Sequence, residues 1–318
     1  MFKKLMAKIG IGSAKVDLVL HGNEYTLGDT VEGELVLQGG AVEQYINKVD
    51  VQFMLALRTK KSEHRQAMAT IPFDCRFTLG AGERKAFPFM YRLPQDLLIS
   101  SHAVAYYFTT NLDIAAGVDS QDKDYIRVNP PVRFTNIITA FEELGMREKH
   151  DSRAFDGYAQ TFEFFPAPFL QDSVREVEFI AAIEEEQVRL LLVLDMPSFS
   201  REMEVKREVV LSDELLVDVG RLRAYLQQML EEMIGNPNAY LEQRHMMGAE
   251  NGHQHRHSGF GGAMGGFAAG ILGGLVLSEL MDGMMGNTEE TESAFNGGEE
   301  DGGGFGDFFG DMFGGGDE

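Results

Sequence analysis

The sequence predicts an all-β protein: two successive β units, then an amphipathic helix and a glycine-rich acidic tail. Three observations predict it. Apolar and polar residues alternate with a period of two in runs spread over residues 14–211, the pattern of strands with one buried and one wet face. Turn signals such as Leu27-Gly28-Asp29 and Gln38-Gly39-Gly40 separate short runs, which favours a sandwich over a βαβ fold. One stretch, Ser212 to Ile234, switches to helical spacing, and the composition changes after Tyr240.

The totals bound the function. A chain of 318 residues, 44% of them apolar, is long enough for one or two domains with sizeable cores. The formal charge of −22 argues against a general nucleic-acid binder, because phosphate affinity needs Lys and Arg to displace counterions. It favours solubility or partners with basic surfaces. Twelve acids and no Lys or Arg fall between Glu279 and Glu318. The lone Cys75 permits no internal disulfide, and Met1 to Ile11 lacks the apolar core of a signal peptide. Cytoplasmic location is the expectation, with membrane association as the variant to test.

Residues 1–13 form the first segment. Phe2, Leu5, Met6 and Ile9 cluster on a short helix that carries Lys3, Lys4 and Lys8. Such a helix either lies on an anionic membrane, each lysine adding about 1 kcal/mol, or docks on the chain's own first sandwich.

Residues 14–129 form the first sandwich. Ala14, Val16, Leu18 and Leu20 alternate with Lys15, Asp17 and Val19; Val31, Gly33, Leu35 and Leu37 alternate with Glu32, Glu34 and Val36. Val49, Val51, Phe53 and Leu55 share a face opposite Lys48, Asp50 and Gln52. Phe73 to Phe77 reads as a strand that carries Cys75 as a core or half-buried thiol. Tyr91-Arg92-Leu93-Pro94 closes one strand and Tyr125 to Val128 forms the last. Asn129-Pro130-Pro131 stops it, because proline fixes φ and gives the ladder no N–H.

Residues 130–211 form a second, smaller β unit with a short helix. Asn136 is placed to cap that helix, with Ile137, Ile138, Phe141 and Leu144 on one side and Gly145 as its stop. Strands follow at Thr161–Phe164, 174–182, 188–195 and 203–211. In 212–235, Ser212 is the expected N-cap, with Asp213 and Glu214 suited to the positive helix start. Leu215, Val219, Leu222, Leu226, Met229 and Met233 recur at intervals of four and three, and Gly235-Asn236-Pro237 ends the run. This stripe packs onto the chain's own sandwich or serves as a self-association seam.

Residues 236–318 read as a mostly disordered tail, because so much glycine raises the entropic cost of folding. His253, His255 and His257 make a weak metal cluster without the fixed geometry a real site needs. Gly259 to Ser278 is free of charge and carries glycines every four residues from Gly262 to Gly274. It is a tail, a self-association or partner-helix contact, or a membrane-inserting stretch. Phe305, Phe308, Phe309 and Phe313, interspersed with Asp, form an acidic linear motif or part of a solubilising tail.

Catalytic patterns are missing from the sequence. Neither a Gly-x-Ser-x-Gly elbow nor a Walker-type phosphate loop is present. Glu184-Glu185-Glu186 reads as a solvated turn. No cofactor is expected.

The order of several segments resembles the bacterial sporulation-control family, whose members have an arrestin-like fold. The resemblance rests on Ile9 to Val16, Tyr25 to Gly33, Gly39 to Ile46, Tyr91 to Asp96, Asn111 to Ile114 and Asp122 to Val128. It continues through Phe141 to Gly145 and Gln160 to Pro166, so it spans about residues 9–211. It implies two arrestin-like β-sandwich lobes joined by a hinge at Asn129, Pro130 and Pro131, with no catalytic centre. The implied function is a regulatory adaptor that binds other proteins in cell-state or stress control. The alternative is a peripheral membrane-associated scaffold using the N-terminal segment and the Gly-rich stretch.

Overall fold

The computed structural model describes residues 12–59, 62–73, 76–115, 117–155, 159–197 and 203–240. Nine strands come first: β1 (Lys15–Leu20), β2 (Glu24–Thr26), β3 (Thr30–Gln38), β4 (Gln44–Arg58), β5 (Glu63–Phe73), β6 (Phe77–Leu79), β7 (Arg84–Arg92), β8 (Val104–Ile114) and β9 (Ser120–Asn129). They form two sheets, β1-β3-β7 and β2-β9-β8-β4-β5, with β6 paired to the start of β4. The alternation read in the sequence is what closes them. Val16, Leu18, Val31, Leu35 and Phe89 of the small sheet meet Val51, Phe53, Tyr106, Phe108 and Val128 of the large one in a single core.

Turn residues fix the connections. Gly28 has φ +85°, a left-handed conformation that suits glycine, and Thr26 N–H donates to Asp29 Oδ2 at 2.8 Å to close that turn. Gly40 lies against Gly12, where a Cβ would stand 2.0 Å from the Gly12 carbonyl oxygen. The run Phe73 to Phe77, read as one strand, is divided. Phe73 closes β5 and Phe77 opens β6, and the two strands pair with different stretches of β4.

The C-terminal unit holds α1 (Val132–Glu143), β10 (Arg147–Glu148), β11 (Ala154–Phe155), β12 (Gln160–Phe165), β13 (Glu176–Ile183), β14 (Gln187–Met196), β15 (Met203–Ser212), α2 (Asp213–Leu216) and α3 (Val219–Gly235). Its strands form one antiparallel sheet, β10-β12-β13-β14-β15, with β11 also on β12. Helices cover one face of this sheet. Phe134, Ile137, Ile138 and Phe141 recur at the 3.6-residue period on α1, and Leu222, Leu226, Met229, Leu230 and Met233 do so on α3. They meet Phe162, Phe164, Val177, Phe179 and Leu192. Phe162 and Phe179, cross-strand partners, stack with centroids 5.0 Å apart, and Phe141 stacks on Phe179 at 5.5 Å.

Two helix boundaries differ from the sequence expectation. Asn136 does not cap α1. That helix starts at Val132, directly behind Pro131, whose carbonyl accepts from Phe134 and Thr135. Asn136 sits inside the helix, and its side chain donates to the Leu216 carbonyl at 2.8 Å. The stretch after Ser212 is not one helix either. It breaks between Leu216 and Val219, where Asp218 accepts from Arg221 N–H at 3.0 Å as the cap of α3. Ser212 precedes α2 without a side-chain cap bond. Gly145, with φ +90°, ends α1 as expected.

Candidate functional site

Strand β5 is the margin of the larger sheet. Among the described residues only β4 pairs with it, over Glu63 to Phe73. A bulge opposite Phe53 and Met54 leaves Met68 as the extra residue, and Met68, Ile71 and Phe73 turn inward against the core. Ala67 and Thr70 are exposed on the same strand. An eleven-residue edge of this kind is a template for strand addition, and the bulge that twists it limits indiscriminate pairing.

Two carboxylate groups stand elsewhere on the sheets. In the sandwich, β1 and β9 belong to different sheets but run side by side. Side chains of β9 serve β1 as substitute ladder partners: Ser120 Oγ accepts from Val16 N–H at 3.4 Å and Asp122 Oδ2 from Leu18 N–H at 2.9 Å. The period of two then aligns Asp122 and Asp124 beside Asp17, with ligand oxygens of all three within 4.8 Å of one another. Burial, and then the charges of Asp122 and Asp17, push Asp124 up to about 7, and Asp17 is raised by burial and by Asp122. Such a group can share a proton or take a hard cation. Three carboxylates fall short of the roughly six to eight oxygens that calcium takes, so water would complete the shell.

The second group lies on the C-terminal sheet, on the face away from the helices. Glu163 and Glu178 are cross-strand partners, with Glu176 two residues along β13. Burial first, then Glu176 and Glu163, push Glu178 up to about 8; burial and Glu176 push Glu163 up to about 7. Lys149 pairs with Glu176 and stands 3.9 Å from Glu163, which offsets part of the repulsion.

Comparison with known proteins identifies the family. The model of the family described as SpoOM protein matches residues 2–197. The chain belongs to the Spo0M family. It is 31% identical over 252 residues to the sporulation-control protein Spo0M of Bacillus subtilis strain 168, a match covering 73% of this chain and 98% of that protein. The crystal structure of Spo0M from Bacillus subtilis superposes with a TM-score of 0.58 at 28% identity, covering 70% of this chain and 99% of that one. The all-β, sandwich-like fold and the sporulation-control family expected from the sequence are both found.

The Spo0M-family core contains few of the residues that the sequence singled out as sites. Asn129 ends β9: its side chain donates to Glu24 Oε2 at 3.1 Å, and its carbonyl accepts from Leu27 N–H at 3.1 Å. Pro130 and Pro131 lead directly into α1. Glu184 is more than a solvated turn residue, since it accepts from Gln187 and Arg189, while Arg133 donates to the Glu184 and Glu185 carbonyls. Lys3, Lys4, Lys8, Cys75, His253, His255, His257, Phe305, Phe308, Phe309 and Phe313 lie outside the described residues, as does the Gly-rich stretch 259–278. No described helix is long and apolar enough to cross a membrane. The aspartate group was missed because Asp17 and Asp122 are brought together only by the β1–β9 contact. The Asp122-x-Asp124 spacing was its one readable half.

Proposed function

We propose that this chain is a non-enzymatic regulatory adaptor that binds other proteins, with a role in cell-state or stress control like that named for its family. The observation that carries the reading is the long marginal strand β5, paired on one side among the described residues and exposing Ala67 and Thr70. Backbone N–H and C=O groups at such an edge supply affinity for an extended segment, and the alternating side chains supply selectivity. Family membership supports the regulatory role.

The test is an affinity pull-down from the native host with three baits: the full chain, the chain ending at residue 244, and the full chain carrying Ala67→Lys and Thr70→Lys. Lysines on an edge strand oppose strand addition. A specific protein retained by the first bait and lost from the third, at unchanged circular dichroism, is the expected result. Retention by all three baits alike would move the binding site away from β5. No specific protein on any bait would overturn the adaptor reading.

A further inference from the structure

The connection between the two units is built from more than the Asn129–Pro131 link. Leu97 to Ser101, in the crossover from β7 to β8, run past the start of β12. The side-chain amide of Gln160 there behaves as a short strand partner. Its Oε1 accepts from Ile99 N–H at 2.9 Å, and its Nε2 donates back to the Ile99 carbonyl at 2.9 Å and to the Arg153 carbonyl at 3.0 Å. Ser101 Oγ also donates to the Arg153 carbonyl, at 2.8 Å, and in turn accepts from Ala103 N–H at 3.1 Å. Gln160 is 6% exposed and Ile99 4%, so these bonds are made away from water.

The apolar residues on either side are exchanged. Ile99, from the N-terminal part of the chain, belongs to the core formed with α1, β12 and β13, while Phe155, from β11, belongs to the sandwich core. Each unit thus completes the other's interior. The Arg153 carbonyl that receives two of the bonds is aimed by a left-handed backbone, φ +64°, rare for a residue with a side chain. Its guanidinium holds Glu148 in two bonds, at 2.8 and 2.9 Å. On the sandwich side, Ser100 is tied to β9 through Val128: the Val128 carbonyl accepts from Ser100 N–H at 2.9 Å, and Ser100 Oγ accepts from Val128 N–H at 2.9 Å. The crossover is therefore anchored to the sandwich before Gln160 grips it.

We infer that the two units move as one body, latched by the Gln160 amide on the Ile99 backbone and by the exchanged Ile99 and Phe155 side chains. The proline link is the covalent tether across this joint, and bending at it requires the latch to open. A buried donor or acceptor left without its partner carries a full desolvation penalty, so a half-open joint is disfavoured and the joint has two states. Opening exposes the Ile99 and Phe155 side chains together.

Hydrogen–deuterium exchange on the full chain tests this. In the unmodified protein the slowest amides of β8 and β14 exchange through a common opening, at matching rates. Gln160→Leu keeps the volume and removes the amide, and it should separate the two sets at least tenfold. Phe179→Leu, a core change within one unit, should speed both sets without separating them. Should the leucine variant fail to fold, Gln160→Glu replaces it: a carboxylate cannot donate to Ile99 and Arg153, whereas its protonated form restores one donor, so coupling should return on acidification. Separate rates in the unmodified protein would overturn the latch. So would matching rates in Gln160→Leu, or in Gln160→Glu at neutral pH.

Discussion

The two units cover their sheets differently. In the N-terminal sandwich a second sheet supplies the opposing layer, and each strand contributes every other residue to one core. In the C-terminal unit α1 and α3 supply that layer, and aromatic rings fill the space between helix and strand: Phe134 and Phe141 from α1 pack on Phe162, Phe164 and Phe179. The lesson is that strand alternation alone fixes which face is buried and leaves open what buries it. A helix packed on a sheet needs large side chains at its 3.6-residue stripe, and this chain places phenylalanines there.

The largest effect should come from breaking the aromatic layer. Phe179→Ala removes the ring that stacks on Phe141, Phe162 and Phe164, and should cost about 3–5 kcal/mol in denaturant unfolding followed by circular dichroism. Loss of the sandwich signal at the same denaturant concentration is expected if the joint couples the units. Separate transitions would make the comparison one between independent domains.

A second test uses the buried carboxylates. Folding raises Glu178 from 4.5 to about 8. Its favourable contribution to stability is therefore full below the unfolded value and is lost as the pH rises through about 8. Glu178→Gln should stabilise the protein above pH 8 by on the order of 2 kcal/mol and flatten the pH profile between 4.5 and 8. Asp124 follows the same sign in the sandwich, with a folded value of about 7. Asp124→Asn should give a smaller gain above pH 7, under about 1 kcal/mol, because the group is only half-buried and solvent screens it. Thermal unfolding at pH 5 and pH 9 checks both, and equal melting-temperature changes at the two pH values would contradict the assigned shifts.

The smallest effect separates the two proposed helix caps. Asp218→Ala removes the bond to Arg221 N–H and should cost about 1 kcal/mol, whereas Ser212→Ala should change stability by less than about 0.5 kcal/mol. Reversed values in chemical denaturation would restore the continuous helix read from the spacing alone.

Much of the fold was legible in local pattern. The period-two runs at 14–20, 31–37 and 49–55 are the buried rows of β1, β3 and β4, and Gly145 stops α1 where it was expected to. What failed was local chemistry overruled by geometry at a distance. Asn136 looks like a cap, but its amide is committed to Leu216, eighty residues on. The aspartate group and the Gln160 joint were invisible for the same reason. Asp17 meets Asp122 through packing of two sheets, and Gln160 meets Ile99 across sixty-one residues. Nothing in a glutamine's immediate neighbours says that its amide will replace a strand.

In the proposed function, β5 is where this Spo0M-family protein receives another chain. Hydrogen–deuterium exchange of the full chain, alone and saturated with the protein it retains from its host, measures this directly. Slowed exchange across Glu63 to Phe73, with β15 unchanged at the other sheet's margin, is the predicted result. Unchanged β5 exchange, with protection appearing elsewhere in the chain, would contradict it.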